Sequence, residues 1–253
     1  VVITGSPSWA EYWAPVMAHL PQDREMLVVD RPGFACSEPF DCVPDIRTQA
    51  EALAPALQAA PGQKVLLIGQ SYGGAIASLL AHDHPRKVHG LVLLSAFLGS
   101  PGPTARFLLD HASKMLGLLP RDLKHATIEC TGQAAQLHLL HEVLPRLKAP
   151  LHVVHGEADD FAPIEVAERL ARETTARRPI RFQSVPGANH FMNDAPPQLL
   201  LEVIDACIPR PPPPLWRRVP LPTLRWPAPR LVGRLPQAIR AAGVRQRGLA
   251  ASI

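Results

Sequence analysis

The apolar positions of the chain form two kinds of segment that alternate as far as residue 207. Short runs of Val, Leu and Ile alternate with longer segments whose apolar residues recur at helical spacing. Several short runs are apolar throughout, which is typical of parallel strands covered by helices on both faces. The pattern predicts an α/β fold with a doubly wound, mostly parallel sheet. The predicted strands are Val1–Thr4, Met26–Asp30, Val65–Ile68, Leu91–Ala96, Leu151–His155 and Ile180–Val185, and the predicted helices lie near 10–20, 45–59, 72–83, 163–173 and 196–207.

The interval between Phe97 and Ala149 interrupts this alternation. It is rich in leucine, and its apolar residues recur at helical spacing, which predicts two or three amphipathic helices. A long insertion inside an α/β sheet more often covers a site than merely joins two strands, although an elongated crossover is the alternative. We therefore predict a reduced helical lid over 98–148 within a core domain that spans 1–208.

Charge separates this core from the rest of the chain. Residues 209–253 contain nine arginines and ten prolines but no Lys, Asp or Glu, whereas residues 1–208 hold 17 basic and 22 acidic residues. A Pro-rich segment of this kind does not form a packed core, so we predict a disordered extension over 209–253. The basic pI belongs to this extension and does not indicate a nucleic-acid-binding domain. We expect no nucleic-acid partner, with membrane contact by the extension as a less favoured alternative.

The cysteines and the hydropathy exclude several other classes of protein. No apolar run reaches the roughly 18 residues that span a bilayer. The four cysteines are scattered and form no Cys-x-x-Cys pair, so neither a disulfide scaffold nor a zinc site is indicated. We expect no metal and no cofactor. Without a recognisable signal peptide the chain is expected to be cytoplasmic; because it begins with Val1, removal of a preceding segment is the alternative.

The most informative motif lies in residues 65–75, which read VLLIGQSYGGA. An apolar strand enters Gly-x-Ser-x-Gly and continues into a helix of small residues. The motif requires a sharp strand-to-helix turn that raises the hydroxyl of Ser71 clear of the sheet, and the glycines at 69 and 73 leave room for the crowded backbone. We identify Ser71 as the candidate nucleophile.

A serine nucleophile needs a base, and position selects one of the eleven histidines. His190 directly follows the last predicted strand, at the carboxyl edge where open α/β sheets place their sites. His152 and His155 lie in a strand, which favours structural roles. His138 and His141 have spacing that suits a metal, but a solvated helix face is the better interpretation.

The acid of the site is expected after another strand. The segment 155–163 reads HGEADDFAP and offers Asp159, with Asp160 and Glu157 as less favoured alternatives. With Asp159, the order of nucleophile, acid and base is the one that a nucleophile elbow requires.

The turn after the first strand completes the predicted site. Backbone N–H groups of Ser6 and Tyr72 would form a two-donor oxyanion hole. An ordinary loop is the alternative for Ser6. The apolar candidates for the substrate pocket are Trp9, Phe34, Phe97, Phe161, Phe191 and Met192.

These motifs together resemble the α/β-hydrolase superfamily, in its serine-nucleophile, esterase-like branch, over about residues 1–207. The segment 30–37, DRPGFACS, is similar to the family's Asp-Arg-x-Gly-x-Gly-x-Ser turn, with Ala35 in place of its second glycine. Thr4 replaces the family's usual His, and the opening antiparallel strands are missing. The resemblance implies that Ser71 is the nucleophile, Asp159 the orienting acid and His190 the base. It also leaves Met26–Asp30 as an uncovered edge, for which we expect a covering partner chain or the extension.

The candidate site predicts acyl-enzyme chemistry. The leading interpretation is a serine hydrolase that cleaves a carboxylic ester, or a related acyl bond, of a small to medium apolar substrate. An acyltransferase or a cofactor-free perhydrolase would use the same triad, and a non-catalytic binding protein of the same fold is the alternative from another class.

Overall fold

The computed structural model describes residues 1–174, 180–192 and 196–207 of the chain. These residues belong to one compact unit, Val1–Pro209. The predicted disordered extension, 209–253, lies outside the described residues.

A parallel sheet of six strands forms the centre of this unit, in the order β2-β1-β3-β4-β5-β6. Every neighbouring pair is parallel, which confirms the predicted fold class. β3 and β4 are among the strands buried on both faces, as their continuous apolar sequence requires. The strands are β1 (Val2–Ile3), β2 (Val28–Val29), β3 (Val65–Gln70), β4 (Val88–Leu94), β5 (Leu151–Gly156) and β6 (Ile180–Val185).

Helices cover both faces of the sheet. Successive strand residues alternate between two cores: Leu67 packs into one and Ile68 into the other. The first core lies against α2 and α3, and the second against α1 and α8. These helices are α1 (Ala14–Met17), α2 (Ile46–Leu53), α3 (Gly73–Asp83) and α8 (Pro197–Cys207), with α7 (Ile164–Glu173) between β5 and β6.

Between β4 and β5 the chain forms the helical insertion that the leucine pattern predicts. The structure describes all of its residues, and they form three α-helices joined by short 3₁₀ turns. Its first two helices lie above the carboxyl edge of the sheet, where they face the candidate site. The helices are α4 (Pro103–Lys114), α5 (Arg121–Gly132) and α6 (His138–Val143).

β2 is an edge strand of the described sheet, as expected. Val28 and Val29 pair only with β1 among the described strands, and both are half-buried. The loop after β2 contains Ala35 with a φ of 49°, in the left-handed region that a glycine would adopt more easily. The family-like turn is therefore formed despite the alanine.

Candidate active site

Ser71 occupies the sharp turn between β3 and α3. Its φ is 50°, a strained conformation for a residue with a side chain. A Cβ at Gly69 would lie 2.7 Å from the Cβ of Ala77, and one at Gly73 would lie 2.4 Å from the carbonyl oxygen of Ile3. Only glycine fits at these two positions, so the motif is explained by the close packing of the turn against its neighbours.

The Ser71 hydroxyl is hydrogen-bonded to His190. The distance from its Oγ to Nε2 of His190 is 2.9 Å. On the other side of the ring, Nδ1 lies 3.0 Å from Oδ1 and 2.9 Å from Oδ2 of Asp159. The three residues that the sequence singles out lie in three separate loops, and the structure brings them together.

The carboxylate of Asp159 is buried and held on several sides. Its Oδ1 accepts backbone hydrogen bonds from Phe161 at 3.0 Å and Ala162 at 2.8 Å. Nε2 of His155 lies 3.1 Å from Oδ2. Burial alone would raise the pKa of Asp159, but the hydrogen bonds from His155 and His190 outweigh it and hold that pKa well below its ordinary value. Asp159 is therefore ionised where it faces the imidazole.

The competing acids, and the histidine at position 152, lie elsewhere. Asp160 is exposed and accepts a hydrogen bond from Oγ1 of Thr104, and Glu157 is exposed and accepts one from Ser184. His152 contacts the sulfur of Cys207. Of the three acids in this loop, the structure brings only Asp159 to His190.

The predicted oxyanion donors flank Ser71. A Cβ built on Gly5 would lie 3.0 Å from the Cβ of Ser71, which places the Gly5–Ser6 peptide directly against the nucleophile. Tyr72 immediately precedes the first residue of α3, where backbone N–H groups lack helical partners. The Tyr72 side chain is buried away from the cavity, and its hydroxyl donates to the carbonyl of Pro44. Its contribution to the site would therefore be its backbone amide.

A cavity of about 670 Å³ opens beside Ser71 and His190. Its far wall consists of small and aliphatic side chains of the helical insertion. Among the described residues that line it, none is Lys, Arg, Asp or Glu, so the cavity suits an uncharged ligand. The insertion contributes Ala105, Leu108, Leu109, Ala112, Leu119, Leu123, Ala126, Thr127 and Cys130 to this wall.

Three of the six residues predicted for the substrate pocket do not line the cavity. Trp9 points away and donates its indole N–H to Asp122 at 2.8 Å. Phe34 is buried under the guanidinium of Arg31, 4.5 Å from ring centroid to Cζ, and Met192 is packed in the second core. Each of these residues is close to the site in sequence or in space, but its side chain contacts other residues instead of the cavity. The three predicted residues that do line the cavity are Phe97, Phe161 and Phe191.

Phe161 also supports the imidazole directly. Its ring stacks on that of His190 with the centroids 5.3 Å apart and the planes 18° from parallel. His190 is 6% exposed, so the hydrogen bonds of its ring are shielded from competing water.

Sequence reasoning missed two parts of this site. The first is the wall of the insertion, whose residues 105, 108, 109 and 112 have the i, i+3, i+4, i+7 spacing of one helix face and so carried a usable signal. The second is a buried ion pair between Arg31 and Glu129, which are 98 residues apart. No local pattern connects them.

Residues 1–174, 180–192 and 196–207 hold no cluster of three or more His, Cys, Asp or Glu side chains placed to bind a metal ion. None of the helices in this part of the chain is both long and apolar enough to cross a membrane.

Comparison with known proteins agrees with this geometry. The family model for the alpha/beta hydrolase fold matches residues 1–127, just over half of the chain. The chain belongs to the α/β-hydrolase family. The replaced His and Gly positions are thus departures within the family.

Two relatives and one solved structure illustrate the likeness. A 2-hydroxy-6-oxononadienedioate/2-hydroxy-6-oxononatrienedioate hydrolase from Paraburkholderia phymatum is 26% identical over 204 residues, covering 66% of this chain and 71% of the relative. A pyrethroid hydrolase from Sphingobium wenxiniae is 47% identical over 62 residues, covering 24% and 22% of the two chains. The structure of an N-acyl homoserine lactone degrading enzyme has a TM-score of 0.67 at 21% identity, covering 82% of this chain and 92% of its own, which shows the shared fold.

Proposed function

We propose that this α/β hydrolase is a serine esterase that cleaves a carboxylic ester of a small to medium, uncharged apolar substrate. The observation that supports it most strongly is the continuous hydrogen-bonded connection from Ser71 through His190 to Asp159 at the wall of an apolar cavity. An imidazole oriented by an ionised carboxylate is what a serine hydroxyl needs to become a nucleophile.

The first half of the reaction forms an acyl-enzyme. Oγ of Ser71 attacks the ester carbonyl carbon while Nε2 of His190 accepts the hydroxyl proton. The carbonyl oxygen becomes an oxyanion facing the amides of Ser6 and Tyr72. The tetrahedral intermediate then breaks its bond to the alcohol oxygen, and His190 donates the proton to that leaving alkoxide.

The second half releases the acid. A water molecule attacks the acyl carbon and passes a proton to His190, forming a second oxyanion in the same place. The bond from the acyl carbon to Oγ of Ser71 breaks, the proton returns to Oγ, and the carboxylic acid leaves. Asp159 stays ionised throughout and stabilises the imidazolium that forms in each half.

The lining of the cavity supports an uncharged substrate. The relative from P. phymatum is named for dioate substrates, which carry carboxylates, whereas no cationic side chain lines the described part of this cavity. Burying a carboxylate there without a partner would be costly. The pyrethroid hydrolase, whose name refers to an apolar class of compound, is the closer chemical precedent over its short match.

The test is hydrolysis of p-nitrophenyl acetate, butyrate and octanoate by the wild type and by Ser71→Ala. We expect the variant to lose at least about 10⁴-fold in kcat because removal of the nucleophile leaves only binding and the oxyanion hole. Ser78→Ala is the matched control, since Ser78 is a buried serine of α3 whose hydroxyl donates to the carbonyl of Gly74 within its own helix.

A fluorophosphonate probe separates the alternatives. Labelling of Ser71 without ester hydrolysis would favour transfer to an acceptor other than water. A folded wild type that neither hydrolyses these esters nor reacts with the probe would contradict the proposal and favour a binding protein.

A further inference from the structure

Arg31 carries a charge but is completely buried behind the candidate oxyanion hole. Its guanidinium makes five hydrogen bonds, two of them to the carbonyl oxygen of Gly5, from Nη2 at 2.7 Å and Nε at 3.2 Å. It also lies 4.5 Å from the ring centroid of Phe34 and 5.0 Å from that of Tyr72. Arg31 belongs to the turn after β2, and the mechanism above gives it no role.

The charged partner of Arg31 is Glu129, which is equally buried and comes from helix α5 of the insertion. The two side chains form a two-pronged ion pair, with Nη1 2.8 Å from Oε1 and Nη2 2.9 Å from Oε2. Gln49 donates to Oε1 at 2.6 Å, and the hydroxyl of Ser6 donates to Oε2 at 2.5 Å. The pair is thus hydrogen-bonded to both Gly5 and Ser6.

These contacts determine the direction of one amide. The carbonyl of Gly5 and the N–H of Ser6 belong to the same planar trans peptide, so they point in opposite directions. Nη2 of Arg31 donates both to the carbonyl oxygen of Gly5 and to Oε2 of Glu129, and that same Oε2 accepts the hydroxyl of Ser6. The pair therefore anchors the carbonyl of this unit and the Ser6 side chain together, and the N–H points away from the Gly5 carbonyl. Because Gly5 packs against Ser71, the N–H that these anchors orient is the one predicted to receive the oxyanion.

Stability alone is a weak reason for such a pair. A buried ion pair contributes little net stability because desolvation offsets its attraction, and apolar residues of similar volume often replace it without loss. What a two-pronged Arg–carboxylate contact supplies is fixed geometry. An oxyanion hole requires that geometry, since its donors must be in place before charge develops.

We propose that the Arg31–Glu129 pair positions the oxyanion-hole amide of Ser6, and that the insertion helix α5 thereby supports catalysis through Glu129. The inference rests on the proposed esterase function. Neither residue lines the cavity, so both are positioning residues rather than catalytic ones. A displacement of α5 that withdrew Glu129 would remove the anchor of the Ser6 hydroxyl and leave Arg31 without its carboxylate partner.

The experiment compares an aryl ester with the thionoester that differs only by sulfur in place of the carbonyl oxygen. Sulfur is a weaker hydrogen-bond acceptor on a longer bond, so it gains little from the hole. The wild type should therefore prefer the oxygen ester strongly. This preference is a ratio measured on one preparation, so it does not depend on the fraction of enzyme that is folded.

The test variant is Arg31→Met combined with Glu129→Met, which removes both charges and leaves neither unpaired in the core. We expect kcat for the oxygen ester to fall about 100-fold, the cost of losing one oxyanion donor, with KM changed less than about 3-fold. The thionoester should lose less than about 10-fold, so the preference for oxygen shrinks at least about 10-fold. Arg31→Lys keeps the charge but loses the two-pronged contact, so its preference for oxygen should lie between those of the wild type and the double variant.

Leu200→Ala is the control for lost stability, because Leu200 is buried in α8 on the opposite face of the sheet. Its melting temperature should fall while the preference for oxygen stays at the wild-type value. A double variant that keeps the wild-type preference would overturn the inference.

Two further outcomes decide the remaining cases. If the double variant does not fold, an unchanged preference in Arg31→Lys overturns the inference and a reduced one supports it. If Ser71→Ala hydrolyses the oxygen ester as fast as the wild type, the proposed function fails and this inference fails with it. If hydrolysis depends on Ser71 but the double variant keeps the wild-type preference for oxygen, this inference fails and the proposed function stands.

Discussion

The two walls of the cavity are built in different ways. On the sheet side, Ser71, Asp159 and His190 follow three strands and are joined by hydrogen bonds of about 3 Å. On the insertion side, α4 and α5 line the cavity mostly with Ala and Leu side chains, and α5 adds Thr127 and Cys130. The insertion also leaves apolar side chains on its outer surface, including Leu118, which is 80% exposed.

The difference reflects what each wall must do. Proton transfer and oxyanion stabilisation depend on positions within a few tenths of an ångström, so the sheet side uses strained backbone, close glycine packing and buried charge. Binding an apolar group depends on volume and dryness, which many combinations of aliphatic residues provide. We therefore expect changes on the sheet side to alter kcat and changes on the insertion side to alter substrate preference.

Among substitutions that leave the nucleophile in place, the largest effect is expected from Asp159→Asn on the sheet side. The amide has the size of the carboxylate but does not stabilise the imidazolium or hold the correct tautomer, so kcat for p-nitrophenyl butyrate should fall by about 10³- to 10⁴-fold with little change in KM. Asp160→Asn is the matched control, and its rate should stay within about 2-fold of the wild type. Retention of more than a tenth of the wild-type kcat in Asp159→Asn would remove Asp159 from the triad.

A smaller and selective effect is expected from Ala112→Phe on the insertion side. Ala112 lines the cavity from α4, so a phenyl group there takes up space that a long acyl chain needs. We expect kcat/KM for the octanoate ester to fall about 10- to 100-fold and that for the acetate ester to change less than about 3-fold.

Ser113→Phe provides the control for this substitution, because Ser113 is exposed on the same helix and does not line the cavity. Both esters should be hydrolysed at wild-type rates by that variant. Equal losses on acetate and octanoate in Ala112→Phe would contradict the division of labour between the two walls.

The smallest effect concerns stability against pH and also belongs to the sheet side. Hydrogen bonds lower the pKa of Asp159 in the folded state, so its contribution to the free energy of unfolding is present above the unfolded pKa of about 4 and is lost as pH falls towards the folded pKa. Below about pH 4, the stability difference between wild type and Asp159→Asn should shrink by about 1.4 kcal/mol per pH unit. Urea unfolding at pH 7, 5, 4 and 3 measures it.

Ala112→Phe serves as the comparison in this experiment as well. The cavity lining contributed by the insertion contains no carboxylate, so the difference between this variant and the wild type should be independent of pH. If the difference in free energy of unfolding between the wild type and Asp159→Asn does not change with pH, the folded state does not lower the pKa of Asp159.

The sequence by itself determined the features that depend on local backbone requirements. β-branched and leucine-rich runs predicted the six strands of the described sheet, and β3 and β4 are largely apolar because strands buried on both faces have little polar surface. The glycines around Ser71 marked the elbow because only a residue without Cβ fits there, and the position of His190 and Asp159 after strands placed them at one edge of the sheet. These are consequences of a few neighbouring residues, and they can be read without knowing the rest of the fold.

The tertiary structure decided which way side chains point and which distant residues meet. Trp9, Phe34 and Met192 are as apolar as the residues that line the cavity, but packing and one hydrogen bond turn them elsewhere. The contact between Arg31 and Glu129 joins segments 98 residues apart. Such a contact depends on how the insertion packs over the sheet, because the free energy that selects it comes from burial and hydrogen bonding in the assembled core rather than from the residues on either side of it in sequence.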